Sequence, residues 1–404
     1  MYRVSSFVRH FALSLAAGVG IATVWLSVDP ASYYDFIEWR VADLLLPSVL
    51  NLHPAGLTPV SVVSDGLMAL FLFVVGKELW EALTLERGAL SGRRALVPLG
   101  GVIGATAGAV LVWTLFGAMF ETAAEAGFAT GWPVPLGSDI VLTYLMGRLV
   151  FGRGHPALHS LLLITVALDV TGLILLGVAH PTDGLLKLTW LGLPLLASVG
   201  VWAVFGRPLP ATAPERARRR AGAVWPYIVA GLLSYIGVAA AGLPPALGLL
   251  PVIPAISHAD RSFGLFAEAE EFLHDPLNRL THMLVQPLAV ILFLFGLTSG
   301  GIDVFAAGPT TATVLAALWV GKPLGFMAGC LVMARLAGNR GGAAPDLREL
   351  ALMALLLGMG FTVPILGLPV SLPGGEMAEA ARLGLAISLL AGPLAYVVSR
   401  LRTR

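Results

Sequence analysis

The stretch GWPVPLGSDI, Gly131 to Ile140, is apolar enough to enter a membrane, yet it sets two prolines and two glycines ahead of a serine and an aspartate. Proline removes a backbone donor and glycine loosens a helix, so a helix carrying this stretch is expected to break near Asp139. Hydrocarbon cannot satisfy the N–H and C=O groups that such a break exposes. It is tolerated only where protein or a water-filled cavity covers it. A second stretch, LLLGMGFTVPILGLP from Leu355 to Pro369, repeats the pattern with Gly358, Gly360, Thr362 and Pro364. Two interrupted helices in corresponding positions of a chain point to a transport site.

The surrounding sequence is of membrane type. The chain of 404 residues is 57% hydrophobic and 12% charged, against about 25% charged residues in soluble domains. Apolar blocks of about 20 residues recur along it. They fall at Phe11 to Ser27, Pro59 to Leu83, Ala95 to Gly117, Trp132 to Val150, Ala157 to Val178 and Leu185 to Phe205, then Ala223 to Ala241, Leu243 to Ser257, Met283 to Gly300, Thr311 to Leu336, Leu350 to Val370 and Met377 to Val398. An all-α polytopic membrane protein of about twelve transmembrane helices is expected, with Phe11 to Ser27 retained as the first helix. The fourth block is central among blocks three to five, and the eleventh is central among blocks ten to twelve. That count fits an inverted repeat whose two broken helices cross.

Arginines gather after the second, fourth, sixth, tenth and twelfth blocks, for example at Arg94, Arg153, Arg219, Arg340 and Arg402. The positive-inside rule makes those loops and both termini cytoplasmic. The whole chain, 1–404, reads as one integral membrane domain, and the Pro/Ala/Arg-rich segment 206–222 reads as a cytoplasmic linker between halves of six spans. Phe263 to Leu280, rich in glutamate, reads as an amphipathic surface segment. The long outer loop Tyr33 to Leu57 is a candidate contact for a homodimer.

Other classes of function find little support. The net charge of +1 offers no footprint for nucleic acid, and the sequence has no zinc-type Cys/His spacing, nucleophile elbow or phosphate loop. No enzyme chemistry and no cofactor are expected. The single cysteine, Cys330, excludes an internal disulfide and reads as packing.

Asp65, Asp139, Asp169 and Lys322 lie inside apolar blocks, with Lys77 and Glu78 nearer an end. A charge at a helix centre costs at least about 2.5 kcal/mol, so these groups are expected to pair or to line water. Burial disfavours the charged form of acid and base alike, and a group poised between its two forms can trade a proton for another cation. That is antiporter logic. Asp65, next to Ser64, serves equally well as a cap, and Glu78 with Glu81 as an interfacial face. Gly100, Gly104 and Gly108 form a stripe of small residues suited to close helix packing. His155, His159, His258 and His282 fall near cytoplasmic ends, where histidine can respond to pH.

Several segments in order resemble the NhaA family of bacterial sodium/proton antiporters, an inverted-repeat family. They are DGLMALFLFVVGKEL (Asp65 to Leu79), GWPVPLGSDI, WVGKPLG (Trp319 to Gly325) and LLLGMGFTVPI. The resemblance implies exchange of sodium or lithium for protons across the bacterial inner membrane. It makes Asp139 a cation-site carboxylate, with Ser138 in place of the family's threonine, and Lys322 the partner of an aspartate on the fifth helix. In VALDVTG, Val166 to Gly172, Asp169 takes that position, while Val170 replaces the family's second, cation-binding aspartate. In RLTHMLVQP, Thr281 stands where the family often has a glutamate before His282. Glu78 and His282 are the residues the resemblance links to pH response.

With Asp169 paired to Lys322, Asp139 alone is left to hold sodium, weakly, with help from Ser138, Thr362, Thr171 or Thr165. Altered stoichiometry is the expected consequence. Transport of another solute on the same scaffold, or a regulatory role without transport, are the alternatives.

Overall fold

The computed structural model describes residues 7–40, 57–84, 95–119, 127–152, 155–181, 186–207, 222–257, 276–337 and 346–401. It is helical at each apolar block. The long helices are α1 (Phe7–Val28), α3 (Pro59–Thr84), α4 (Leu96–Met119), α6 (Pro156–Ala179), α7 (Leu188–Gly206), α9 (Pro276–Ser299), α10 (Pro309–Ala337) and α13 (Glu376–Leu401), with a short α2 (Pro30–Glu38) after the first. Block seven is the shorter α8 (Trp225–Ala240), and block eight forms two 3-10 segments between Pro245 and Ala255. Blocks four and eleven are the broken ones. Turns of 3-10 helix between Ala129 and Leu136 lead into α5 (Ile140–Phe151) at 47°, and α11 (Leu347–Leu357) leads into α12 (Thr362–Ser371) at 48°. The expected polytopic membrane architecture with two interrupted helices is therefore present.

Local chemistry sets the boundaries. Thr58 caps α3, exchanging hydrogen bonds with Ser61 while Pro59 fills the first helical position, where its missing N–H is harmless. His155 and Pro156 start α6 in the same way. Helix α9 begins at Pro276 rather than at the expected Met283. Its polar first turn, which includes the buried Asn278, lies below the hydropathy threshold that a sequence scan needs. Apolar residues such as Leu13, Ile103 and Leu196 stay exposed, as a lipid-facing surface requires.

The tightest helix pair is α4 against α10. Gly100, Gly104 and Gly108 face Gly329, Gly325 and Gly321, so that a Cβ on Gly104 would overlap Gly325 O and one on Gly325 would overlap Gly104 O. The glycine numbers rise along one helix as they fall along the other, so α4 and α10 run antiparallel. Since these are the first helices of the two triplets, the triplets are inverted with respect to each other, as expected.

Most of segment 206–222, most of Phe263 to Leu280, His258 and positions 41–56 of the outer loop lie outside the described residues. The described part of that loop packs on its own chain. Tyr33 is buried and donates to Leu297 O at 3.1 Å, and Tyr34 donates to Glu379 Oε1 at 3.2 Å.

Candidate cation site at the crossing of two broken helices

Missing helical hydrogen bonds bring the two breaks together. Pro133 and Pro135 deny the first segment its donors, and after the turn Val134–Leu136 the chain runs extended through Gly137. Asp139 then caps α5, its Oδ1 accepting from Leu142 N at 2.7 Å. The second break, at Gly358 to Phe361, supplies what the first lacks. Asp139 N donates to Met359 O at 2.9 Å, Ser138 Oγ to Leu357 O at 3.2 Å, and Thr143 Oγ1 to Leu356 O at 3.4 Å. In return Thr362 Oγ1 reaches Ser138 O at 3.5 Å and lies beside the Asp139 carboxylate. Gly137 packs on Val363 and Pro364 closely enough that a Cβ would come within 3 Å of both.

The charged residues converge here. Asp139, Asp169 and Lys322 each have 0% exposure, so each charge must be answered by protein or by a bound ion. Lys322 and Asp169 are close enough to attract each other electrostatically, but they do not form the direct ion pair expected from the sequence. One peptide group stands between them. Lys322 Nζ donates to Gly137 O at 2.5 Å and to Ser138 Oγ at 3.4 Å, while Asp169 Oδ1 accepts from Ser138 N at 2.6 Å. The C=O and N–H of the same Gly137–Ser138 peptide thus face lysine and aspartate. The π-helical turn Ala317–Gly321 delivers Lys322 to that carbonyl at the start of its own helical segment, a distortion often found where a helix serves function.

Two carboxylate oxygens remain unanswered. Asp139 Oδ2 and Asp169 Oδ2 are buried and have no hydrogen-bond partner, and the two carboxyl groups lie within electrostatic range of each other. Among the described residues no three His, Cys, Asp or Glu side chains gather as a metal cluster would need.

Not every expected residue joins this group. Val170 follows Asp169 about 100° further round α6 and Thr171 about 200° round, and both are half-buried. Val170 shares its side of the helix with Gly177, where a Cβ would meet Leu243 and Pro244, whereas Gly172 on the other side approaches Gly137 and Leu136. Thr165 is buried, with its hydroxyl turned back to Leu161 O at 2.7 Å.

Glu78 and His282 lie elsewhere. Glu78 is buried beside Tyr144 and His159, about 15 Å of helix rise from Asp169 along α6. It adjoins a buried ion pair, Lys77 to Glu81 at 3.1 Å, so this face of α3 is interior rather than interfacial. His282 is exposed on α9.

A family profile described as Na+/H+ antiporter 1 matches residues 9–399 of this chain. The chain belongs to that Na+/H+ antiporter family. Among curated relatives it is 36% identical to the Na+/H+ antiporter NhaA of a Jannaschia species, over 99% of this chain and 98% of that protein. It is 33% identical to the NhaA of Geobacter metallireducens, with coverage of 99% and 98%. Among solved structures it is similar to the sodium proton antiporter MjNhaP1 of Methanocaldococcus jannaschii at pH 8, with a TM-score of 0.51, 13% identity and 98% of each chain covered. At that identity the likeness speaks for the fold.

Sequence reasoning overlooked Met359, Trp319 and Ser388. Trp319 Nε1 donates to Ser388 O at 3.1 Å, and Ser388 Oγ contacts both the N and the O of Gly360 at 3.1 Å. A signal was present in LAISLLAG, Leu385 to Gly392, where a lone serine interrupts the last apolar block much as Asp169 interrupts the fifth.

Proposed function

We propose that this protein is a secondary transporter of the bacterial inner membrane that moves sodium or lithium out of the cytoplasm in exchange for protons. Asp139 and Asp169 would hold either ion. The supporting observation is the pair of buried carboxylate oxygens, Asp139 Oδ2 and Asp169 Oδ2, without hydrogen-bond partners where the two breaks cross. A bare carboxylate oxygen out of water is costly, and a proton or a cation relieves that cost. Both occupants need the same oxygens, so one displaces the other, and that competition is exchange. Hard oxygen ligands suit a small alkali cation by analogy with other hard cations. The Ser138 carbonyl and the Thr362 hydroxyl, 3.5 Å apart, stand ready to add to the carboxylates.

Lys322 has a separate part. It keeps two acids compatible at membrane depth without occupying Asp169, because its own bonds go to Gly137 O and Ser138 Oγ. Asp169 thus remains a ligand, although Val170 supplies none. The exchange would run on two carboxylates and one lysine. The arginine-rich loops support cytoplasmic placement of both termini.

The test uses everted membrane vesicles holding a respiration-driven pH gradient. Added sodium or lithium should collapse the gradient in vesicles containing this protein and leave it intact in vesicles without it. If neither cation moves protons, the assignment falls.

A further inference from the structure

The hydrogen bonds at the two breaks correspond to each other. In the first triplet of helices the third member, α6, sends Asp169 to accept the Ser138 N–H at 2.6 Å. In the second triplet the third member, α13, sends Ser388 to accept the Gly360 N–H at 3.1 Å. Ser388 is fully buried, and its own O–H lies 2.6 Å from Leu385 O and 3.1 Å from Gly360 O. We propose that Ser388 is a positioning residue for the cation site, the uncharged counterpart of Asp169, which holds the second break in register with the first through Gly360.

The sequence of the first helices explains why this counterpart is neutral. Matching Gly100, Gly104 and Gly108 of α4 with Gly321, Gly325 and Gly329 of α10 places Gly101 at the position of Lys322. A Cβ on Gly101 would come within 2.6 Å of Cys330 Sγ and Phe326 Cε2, so no lysine fits there. A carboxylate at position 388 would lack the cation that Asp169 has, and an unanswered charge at membrane depth is expensive. Serine both donates and accepts without charge.

The path to the ion is short. Met359, adjacent to Gly360, gives its carbonyl to Asp139 N at 2.9 Å. The Ser388 carbonyl takes the Trp319 indole N–H at 3.1 Å, and Trp319 sits in the π-helical turn that presents Lys322. Ser388 therefore ties α13 to the backbone that carries Asp139 and to the helix that carries Lys322. Its hydroxyl bonds go to Gly360 and Leu385, and none goes to Asp139, Asp169 or Lys322.

The proposal rests on the exchange function above, and its test has one arm that does not. Full-length protein is purified as Ser388→Ala, Ser388→Thr and the parent. Hydrogen–deuterium exchange is read on peptides covering Leu355 to Pro369, and sodium-dependent proton movement is read in proteoliposomes. Ser388→Ala should speed amide exchange at Gly360 and raise the apparent KM for sodium about fivefold, as loss of one buried hydrogen bond would, with the maximal rate little changed. Ser388→Thr should restore both. If Ser388→Ala exchanges amides at the parent rate, the proposal is overturned. It is also overturned if Ser388→Ala lowers the maximal rate alone and Ser388→Thr does not rescue it. If the parent protein moves no protons on addition of sodium, the function assigned above fails and the amide exchange alone decides whether Ser388 holds the break.

Discussion

The two breaks are built from the same parts and satisfied by opposite means. The first is held by charge: Asp139 caps α5, Asp169 takes the Ser138 N–H, and Lys322 takes the Gly137 carbonyl. The second is held by neutral groups, with Ser388 on Gly360 and no side-chain cap at Phe361, where α12 begins. Inverted repeats supply two interruptions from one design, and the buried Asp139, Asp169 and Lys322 gather at the first of them. The other acts as its mould: Met359 O accepts from Asp139 N, Leu357 O accepts from Ser138 Oγ, and Thr362 Oγ1 donates to Ser138 O.

That division of labour predicts unequal sensitivity. Lys322→Ala leaves the Gly137 carbonyl without its donor and the buried Asp169 and Asp139 without a nearby positive charge, and should destabilise the purified protein by about 3 kcal/mol or more, the scale on which a buried charge left uncompensated is costly. Thermal unfolding in detergent measures it. Trp319→Phe, which removes one neutral bond on the side of the second break, should cost about 1 kcal/mol. Equal losses would break the contrast between the two regions.

Adding charge should sharpen the contrast. Val170→Asp places a further carboxylate next to Asp169 on the helix that serves the first break, and one more proton should then exchange per cation. Sodium-dependent proton release should rise and depend more steeply on membrane potential, by about 2.3 kcal/mol per charge per 100 mV. A folded Val170→Asp protein with unaltered voltage dependence would show that position 170, on the side of α6 shared with Gly177, lies outside the ion path.

Smaller effects belong to the glycine ladder that both triplets share. Gly325→Ala forces a methyl group against Gly104 O and should destabilise by about 1–3 kcal/mol, the usual cost of overpacking. Gly200→Ala, on α7 where an added methyl would have nothing within 4 Å, should be neutral or stabilise by up to about 1 kcal/mol, as alanine favours helix over glycine. The same unfolding measurement compares them.

Much of this architecture was legible in the residues themselves. GWPVPLGSDI and LLLGMGFTVPILGLP announce breaks because proline and glycine act locally, whatever surrounds them. Gly100, Gly104 and Gly108 announce a close helix contact for a similar reason. The candidate site was legible as a set of buried charged residues that converge, Asp139, Asp169 and Lys322, but not as a geometry. The peptide between Lys322 and Asp169 belongs to an unwound segment, whose path no periodicity encodes. Thr171 suggests a ligand only when its proximity to Asp169 in sequence is taken without helical phase. Ser388 escapes notice because a hydroxyl in an apolar run carries no charge to mark it, and only the pairing of α13 with α6 gives it meaning.

Proton release on cation binding tests the confinement of charge to the first break most directly. Sodium is added to purified protein in weakly buffered detergent solution, and the protons released are counted with a pH indicator. The parent should release protons, Asp139→Asn and Asp169→Asn should release few or none, and Thr362→Val, altered at the second break, should still release them at higher sodium. Full release from Asp139→Asn, or its complete loss in a folded Thr362→Val protein, would contradict the account.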